Sequence, residues 1–182
     1  MAWTAPMTFT AGAVLTAAQL NTYLRDNLNE VATAKAVQAG QYFVSTGVNS
    51  LAGRSVASGN VPAVESTTST SMSNLTTFGP QLGVYCGNQA IVMISAWMRN
   101  DTAGAAALMS YGISGATTVA PGANDWQSIV YTASVANAPY LTLSTMVVHN
   151  VNTGTNIFTL QYRSINASTS TFAHRKLIVI PL

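Results

Sequence analysis

Two histidines, one cysteine and five carboxylates are all that this chain offers to acid–base, nucleophilic or metal chemistry. His149 and His174 belong to no His-x-x-x-His pair, and neither a Cys-x-x-Cys pair nor a carboxylate cluster occurs. A structural or catalytic metal centre therefore has no support. Glycoside hydrolysis needs two carboxyl groups flanking one bond, and Asp101 with Asp125 is the pair a fold would have to bring together. His149 has many serines in the chain to pair with. However, no Gly-x-Ser-x-Gly elbow or phosphate-binding loop accompanies it, and a satisfied histidine at a strand end is the expectation. Cys86 cannot form an internal disulfide and is expected to be a small buried apolar residue. The sequence thus predicts no enzyme, with no catalytic residue, cofactor or metal.

Other residues could recognise a ligand without chemistry. Trp97, Tyr111, Trp126, Tyr131 and Tyr140 could supply a sugar-stacking surface, although aromatic side chains at alternating strand positions are expected in a core or subunit interface. Asn74-Leu-Thr76, Asn100-Asp-Thr102 and Asn166-Ala-Ser168 match the glycosylation pattern. In a sequence rich in Asn, Ser and Thr, where a secretory signal is not expected, they are expected to be chance matches.

Only 7% of the 182 residues are charged, against about 25% in an ordinary soluble domain. A surface so poor in charge is either covered by other protein or solvated through Ser, Thr, Asn and Gln. The net charge is +2 and the basic residues cluster only at Arg175-Lys176. This excludes nucleic acid as the expected partner, because phosphates are neutralised by clustered Lys and Arg. No run reaches the roughly 18 to 20 apolar residues that cross a bilayer. The first charge is Arg25, so a basic leader region is not expected.

The elements that would position any site begin with a helix. Thr16 and Gln19 have the spacing of a capping box, and Leu15 and Leu20 flank the cap as a hydrophobic staple. Leu20, Leu24, Leu28 and Val31 then recur at helical spacing as one apolar stripe, with Arg25, Asp26, Asn29 and Glu30 off it. The helix is expected from Ala17 to Lys35 or Gln38, stopped by Gly40. One short helix is marginal alone and needs a surface to bury its stripe. Before it, residues 1 to 15 read as an extended uncharged arm, with Trp3, Pro6 and Phe9 as large residues suited to pockets on a neighbour.

After the helix, residues 40 to 54 read as a small hairpin or shaft piece, and 55 to 65 as linker. From 66 to 182 the pattern is of strands: Thr67–Phe78, Leu82–Cys86, Ala90–Arg99, Ala106–Ser114, Trp126–Ser134, Tyr140–His149, Asn156–Ile165 and Phe172–Ile180. The Ala90–Arg99 run opens as continuously apolar, which predicts a strand buried on both faces. The expected fold is mainly β: an arm and helix (1–39), a short β piece with linker (40–65), and a β-sandwich or jelly roll (66–182). Strand faces and edges without charge tend to associate, so a homotrimer is expected.

At Trp3-Thr-Ala-Pro6, Gly12 and Thr16-Ala-Ala-Gln-Leu-Asn-Thr-Tyr-Leu-Arg-Asp-Asn-Leu-Asn29 the chain resembles small virion proteins of tailed bacteriophages, of the minor tail, fibre or head-fibre type. Where relatives often have Pro-Arg-Thr-Trp, this chain has Pro6-Met-Thr-Phe9, losing the charge and keeping the aromatic. Residues 40 to 54 resemble short phage-fibre elements. The closing strands Asn156–Arg163 and Arg175–Pro181 resemble those of the β domain in such proteins.

The resemblance implies a non-enzymatic structural protein, made in the host cytoplasm and carried on the phage particle. Trp3, Pro6 and Phe9 would anchor it. Leu20, Leu24, Leu28 and Val31 would pack against sister helices or other virion proteins of tail or capsid. A tail or fibre location is favoured over capsid decoration or a head fibre. A second reading is a module for host surface glycans, with the turns at 115 to 125 and 150 to 156 as its place.

Overall fold

The computed structural model describes residues 3–122, 128–131 and 139–182. The chain divides into two compact units, residues 1–55 and 56–182. Mainly β architecture with one short helix is observed, as the sequence predicts.

In the first unit, helix α1 covers residues 17–28. Its start follows the capping box. Thr16 Oγ1 accepts from the Gln19 N–H at 3.2 Å, and Gln19 Oε1 accepts from the Thr16 N–H at 2.9 Å. Its turns widen to π-type over Asn21–Arg25. The helix is shorter than expected. At Glu30 and Val31 the backbone bonds tighten to the i−3 carbonyls of Asn27 and Leu28, and only a separate turn, α2 (Ala32–Lys35), follows. The run Asn27, Asn29, Val31 and Thr33 holds poor helix formers, and two asparagines offer the backbone competing partners. Strands β1 (Tyr42–Gly47) and β2 (Ser50–Arg54) form the expected hairpin, turning at Asn49 with φ 57°.

The second unit is a β-sandwich. One sheet has the order β5 (Gln81–Cys86), β10 (Gly154–Ser164), β7 (Ala106–Gly115), β8 (Ser128–Tyr131). The other has β3 (Ala57–Val61), β11 (Ser170–Pro181), β6 (Gln89–Asn100), β9 (Leu141–Asn150), with β4 (Glu65–Thr67) also on β11. Residues 55–65, expected as linker, thus supply β3 and part of β4. Conversely, Thr67–Phe78 is not a strand beyond Thr67: only a bridge from Ser73 to Tyr162 lies within it. Its serines bond their own backbone instead, as Ser69 Oγ does with the Ser71 carbonyl at 2.7 Å.

The core lies between the sheets, where Val92, Ile94, Met98, Met109, Tyr111, Phe158, Leu160, Tyr162, Phe172 and Leu177 are buried. Cys86 is buried with them. Strand β6 does not have two buried faces. Ala90, Val92, Ile94, Ala96 and Met98 point inward, while Ile91, Met93 and Trp97 point out and stay partly exposed. Stretches covered on both faces lie instead in β7, from Ala106 to Tyr111, and at the start of β11, over residues 170–173.

At one end of the sandwich the fully buried Asn100 gathers serines. Its Nδ2 reaches Ser168 Oγ and Ser170 Oγ, each at 2.8 Å, and Ser164 Oγ at 3.2 Å, while its Oδ1 accepts from the Thr102 N–H at 2.9 Å. A buried amide needs such partners, and this one is closed to glycosylation.

His149 sits edge-on to Tyr111, with ring centroids 5.6 Å apart. Burial pushes its pKa below the ordinary 6.5. The unfolded chain then takes up this proton at a higher pH than the folded one, so stability is full above about 6.5 and falls as pH drops below it. Thermal melts between pH 7.5 and 5.5 should show the fall, and His149→Gln should flatten it in that window, which lies above the carboxylate titrations.

Candidate functional site

The first unit leaves most of its large apolar side chains uncovered. Leu24 is 55% exposed and Leu28 56%, and Leu20 and Val31 are exposed with them. The face that turns inward is polar: Asn27 and Glu30 are the buried residues of the segment. Helical spacing foretold the stripe but not that its opposite side would be the one packed.

Asn27 explains the inversion. Its Oδ1 accepts from the Thr4 N–H and its Nδ2 donates to the Thr4 carbonyl, both at 2.8 Å. A second donation from Nδ2, to the Tyr23 carbonyl at 3.1 Å, fixes the amide against its own helix. The arm is therefore held as a strand would hold it, by both main-chain groups of one residue. Glu30 pairs with Lys35 at 2.9 Å, and that contact lowers its pKa below the ordinary 4.5.

The arm residues expected to anchor the protein divide between two places. The Trp3 N–H donates to the Asn49 carbonyl at 3.0 Å, and its side chain lines a recess of about 250 Å³ with Glu30, Ser45 and Leu51. Pro6 and Phe9 lie over α1, where with Met7, Leu20, Tyr23 and Leu24 they line an apolar recess of about 170 Å³. Phe9 remains 67% exposed. So Phe9, Leu20 and Leu24 share one apolar surface, with Leu28 at the end of the helix and Val31 just beyond it. Asn27 was not singled out from sequence; its position one helical turn beyond Tyr23, inside the arm-facing side, is legible only once the arm's path is known.

The aromatic set of the β unit separates as well. Tyr111 is core, and burial raises its phenol pKa well above the ordinary value. Trp97 is exposed beside His174, centroids 4.3 Å apart, and beside Tyr140 at 6.4 Å. The Arg99 guanidinium lies 4.9 Å from the Tyr140 ring centre. Trp126 and Asp125 lie outside the described residues, so the Asp101–Asp125 pairing does too. Among the described residues, no three His, Cys, Asp or Glu side chains group as a metal site would need, and no helix is long and apolar enough to cross a membrane.

The outer face of the β11–β6–β9 sheet is a second uncovered surface. Cross-strand rows place Ile180, Ile91 and Val148 side by side, then Ile178, Met93 and Met146. The next row is Lys176, Ser95 and Ser144, with Asn60 beyond Lys176. Two adjacent rows thus carry no charge and no hydrogen-bonding side chain across three strands.

No family model and no curated protein matches the chain. Among solved structures, it is similar to the VP2 subviral particle protein of infectious bursal disease virus, with a TM-score of 0.42 and 12% identity over 75% of this chain. That match spans only 36% of the VP2 chain. It is also similar to Eiger TNF from S. frugiperda, with a TM-score of 0.38, 8% identity, and coverage of 67% and 94% of the two chains. The CBM22-1 xylan-binding domain of Paenibacillus barcinonensis Xyn10C gives a TM-score of 0.35 and 14% identity, with 69% and 86% covered. Likenesses this low leave the function to the residues themselves.

Proposed function

We propose that this chain is a non-enzymatic structural protein of a tailed-bacteriophage particle, attached by its N-terminal unit and displaying its β unit as a homotrimer. The observation that carries the reading is the uncovered apolar surface of Phe9, Leu20, Leu24, Leu28 and Val31, formed on a helix whose polar side is the one already packed. Burying a leucine contributes about 1.5–3 kcal/mol, so a partner that covers the stripe gains a large share of its binding energy there. The bacteriophage assignment rests on the motif of residues 3–31. A tail or fibre position is the first location, and capsid-surface decoration or a head fibre is the alternative.

The test is assembly. A chain lacking residues 1–55 should be soluble, melt cooperatively and be absent from purified virions. Full-length Leu24→Asp with Leu28→Asp should also be absent, because an unpaired buried charge costs several kcal/mol. Normal occupancy of the charged variant would place attachment elsewhere. Electron microscopy of particles carrying the labelled wild-type chain separates tail from head.

A further inference from the structure

The opposite sheet of the sandwich carries a groove of different character. Its floor is Thr159 and Gln161 on β10 with Gly112 and Ser114 on β7, its walls are Asn74 with Phe78 on one side and Val119 with Pro121 on the other, and its volume is about 320 Å³. That is at the lower end of the roughly 300–1,000 Å³ of small-molecule sites.

Both walls are held in place. Glu65 accepts from the Thr77 N–H at 2.9 Å and from the Thr77 hydroxyl, and Arg175 Nη1 donates to the Thr77 carbonyl at 3.2 Å, so the residue before Phe78 is gripped on every polar group. Across the groove, Val119 and Ile113 exchange both backbone bonds at 2.9 Å, and the Gly122 N–H donates to Ser110 Oγ at 2.9 Å. A Cβ on Gly112 would lie 3.3 Å from Pro121 Cδ, so glycine is what lets the wall sit so close.

The lining is chemically consistent. Phe78 is 50% exposed and offers an aromatic face. The amides of Asn74 and Gln161 have no hydrogen-bond partner among the described residues, and each can donate and accept at once. No lining residue is ionisable.

We infer that this groove binds a neutral oligosaccharide, its apolar C–H face against Phe78 and its hydroxyls on the Asn74 and Gln161 amides. A carboxylated or sulfated sugar would meet no cation there. A peptide added as a strand needs a free sheet edge, and both floor strands are already paired on either side. With no carboxylate in the lining, the bound glycan is held and not cleaved. The inference goes beyond the attachment reading and does not depend on it.

The full-length chain should be titrated against a panel of neutral hexose and N-acetylhexosamine oligosaccharides, with sialylated and sulfated ones as comparison. Binding to neutral members is expected, weakened at least tenfold by Phe78→Ala and by Gln161→Ala. Both positions are on the surface, so an unchanged melting temperature certifies each variant's fold. Binding to none of the panel, binding to the charged members alone, or neutral binding that both variants retain would each overturn the inference. Virion occupancy is a separate readout, so loss of attachment and loss of glycan binding can be told apart.

Discussion

Glu65→Ala is expected to cost about 3–5 kcal/mol of the β unit's stability, the range found when one partner of a buried ion pair is removed. Arg175 is fully buried, with Nη2 3.5 Å from Glu65 Oε2 and its guanidinium carbon 5.3 Å from the centre of the Tyr162 ring. Glu65 is its only ion-pair partner among the described residues. Without the carboxylate, the guanidinium keeps the Thr77 carbonyl and loses its counter-charge. The same change frees the Thr77 N–H and hydroxyl. Against a typical total of roughly 5–15 kcal/mol, chemical denaturation should show a shift large enough to populate unfolded chain at room temperature. Glu65→Leu combined with Arg175→Met should recover much of the loss, since the double change also removes the cost of burying both charges. A single-variant loss below about 1 kcal/mol, the worth of a solvated pair, would show that water reaches the guanidinium.

Met93→Asp with Ile178→Asp should convert the proposed homotrimer to monomers. The two residues are cross-strand neighbours within the two uncharged rows of the outer face, and Met146, on the far side of Met93, is 65% exposed. In a single chain both positions are half-buried and directly opposite, so two carboxylates there lower the β unit's own stability modestly. At a homotrimer interface they bury two unpaired carboxylates in every chain. Light scattering at micromolar concentration should give three times the chain mass for the wild type and one times for the variant, which must still melt cooperatively for the result to count. A monomeric wild type would sink the trimer, and a dimer would keep self-association while removing three-fold assembly.

The same face shows how far the sequence could be read. The continuous apolar run from Ala90 reads as a strand with two buried faces, yet within one chain only one face is covered. Periodicity records that a position prefers to be dry, not which molecule dries it. The helix start was legible because the Thr16–Gln19 box is local. Its end was legible only in part: the poor helix formers from Asn27 to Thr33 are local, but Asn27 and Glu30 turn inward toward an arm more than twenty residues earlier. The strands of β5 to β7 and β9 to β11 followed from alternation and turn residues. β3 escaped because Ala57-Ser-Gly-Asn-Val61 has the composition of a linker and becomes a strand through pairing with β11. The glycan groove was legible only in part. The 115–125 turn was expected near such a site and supplies Val119 and Pro121, whereas Phe78 and Asn74 come from a segment that reads as a strand.

The grip of Asn27 on Thr4 speaks only to main-chain atoms. Any residue but proline at position 4 presents the same N–H and carbonyl, so the clasp is indifferent to what the arm displays on either side of it. Trp3, Pro6 and Phe9 can therefore change, singly or together, while Thr4 keeps both of its bonds to Asn27. The fastening and the message it carries are separate parts, and a peptide grafted over the first ten residues would inherit the first while rewriting the second.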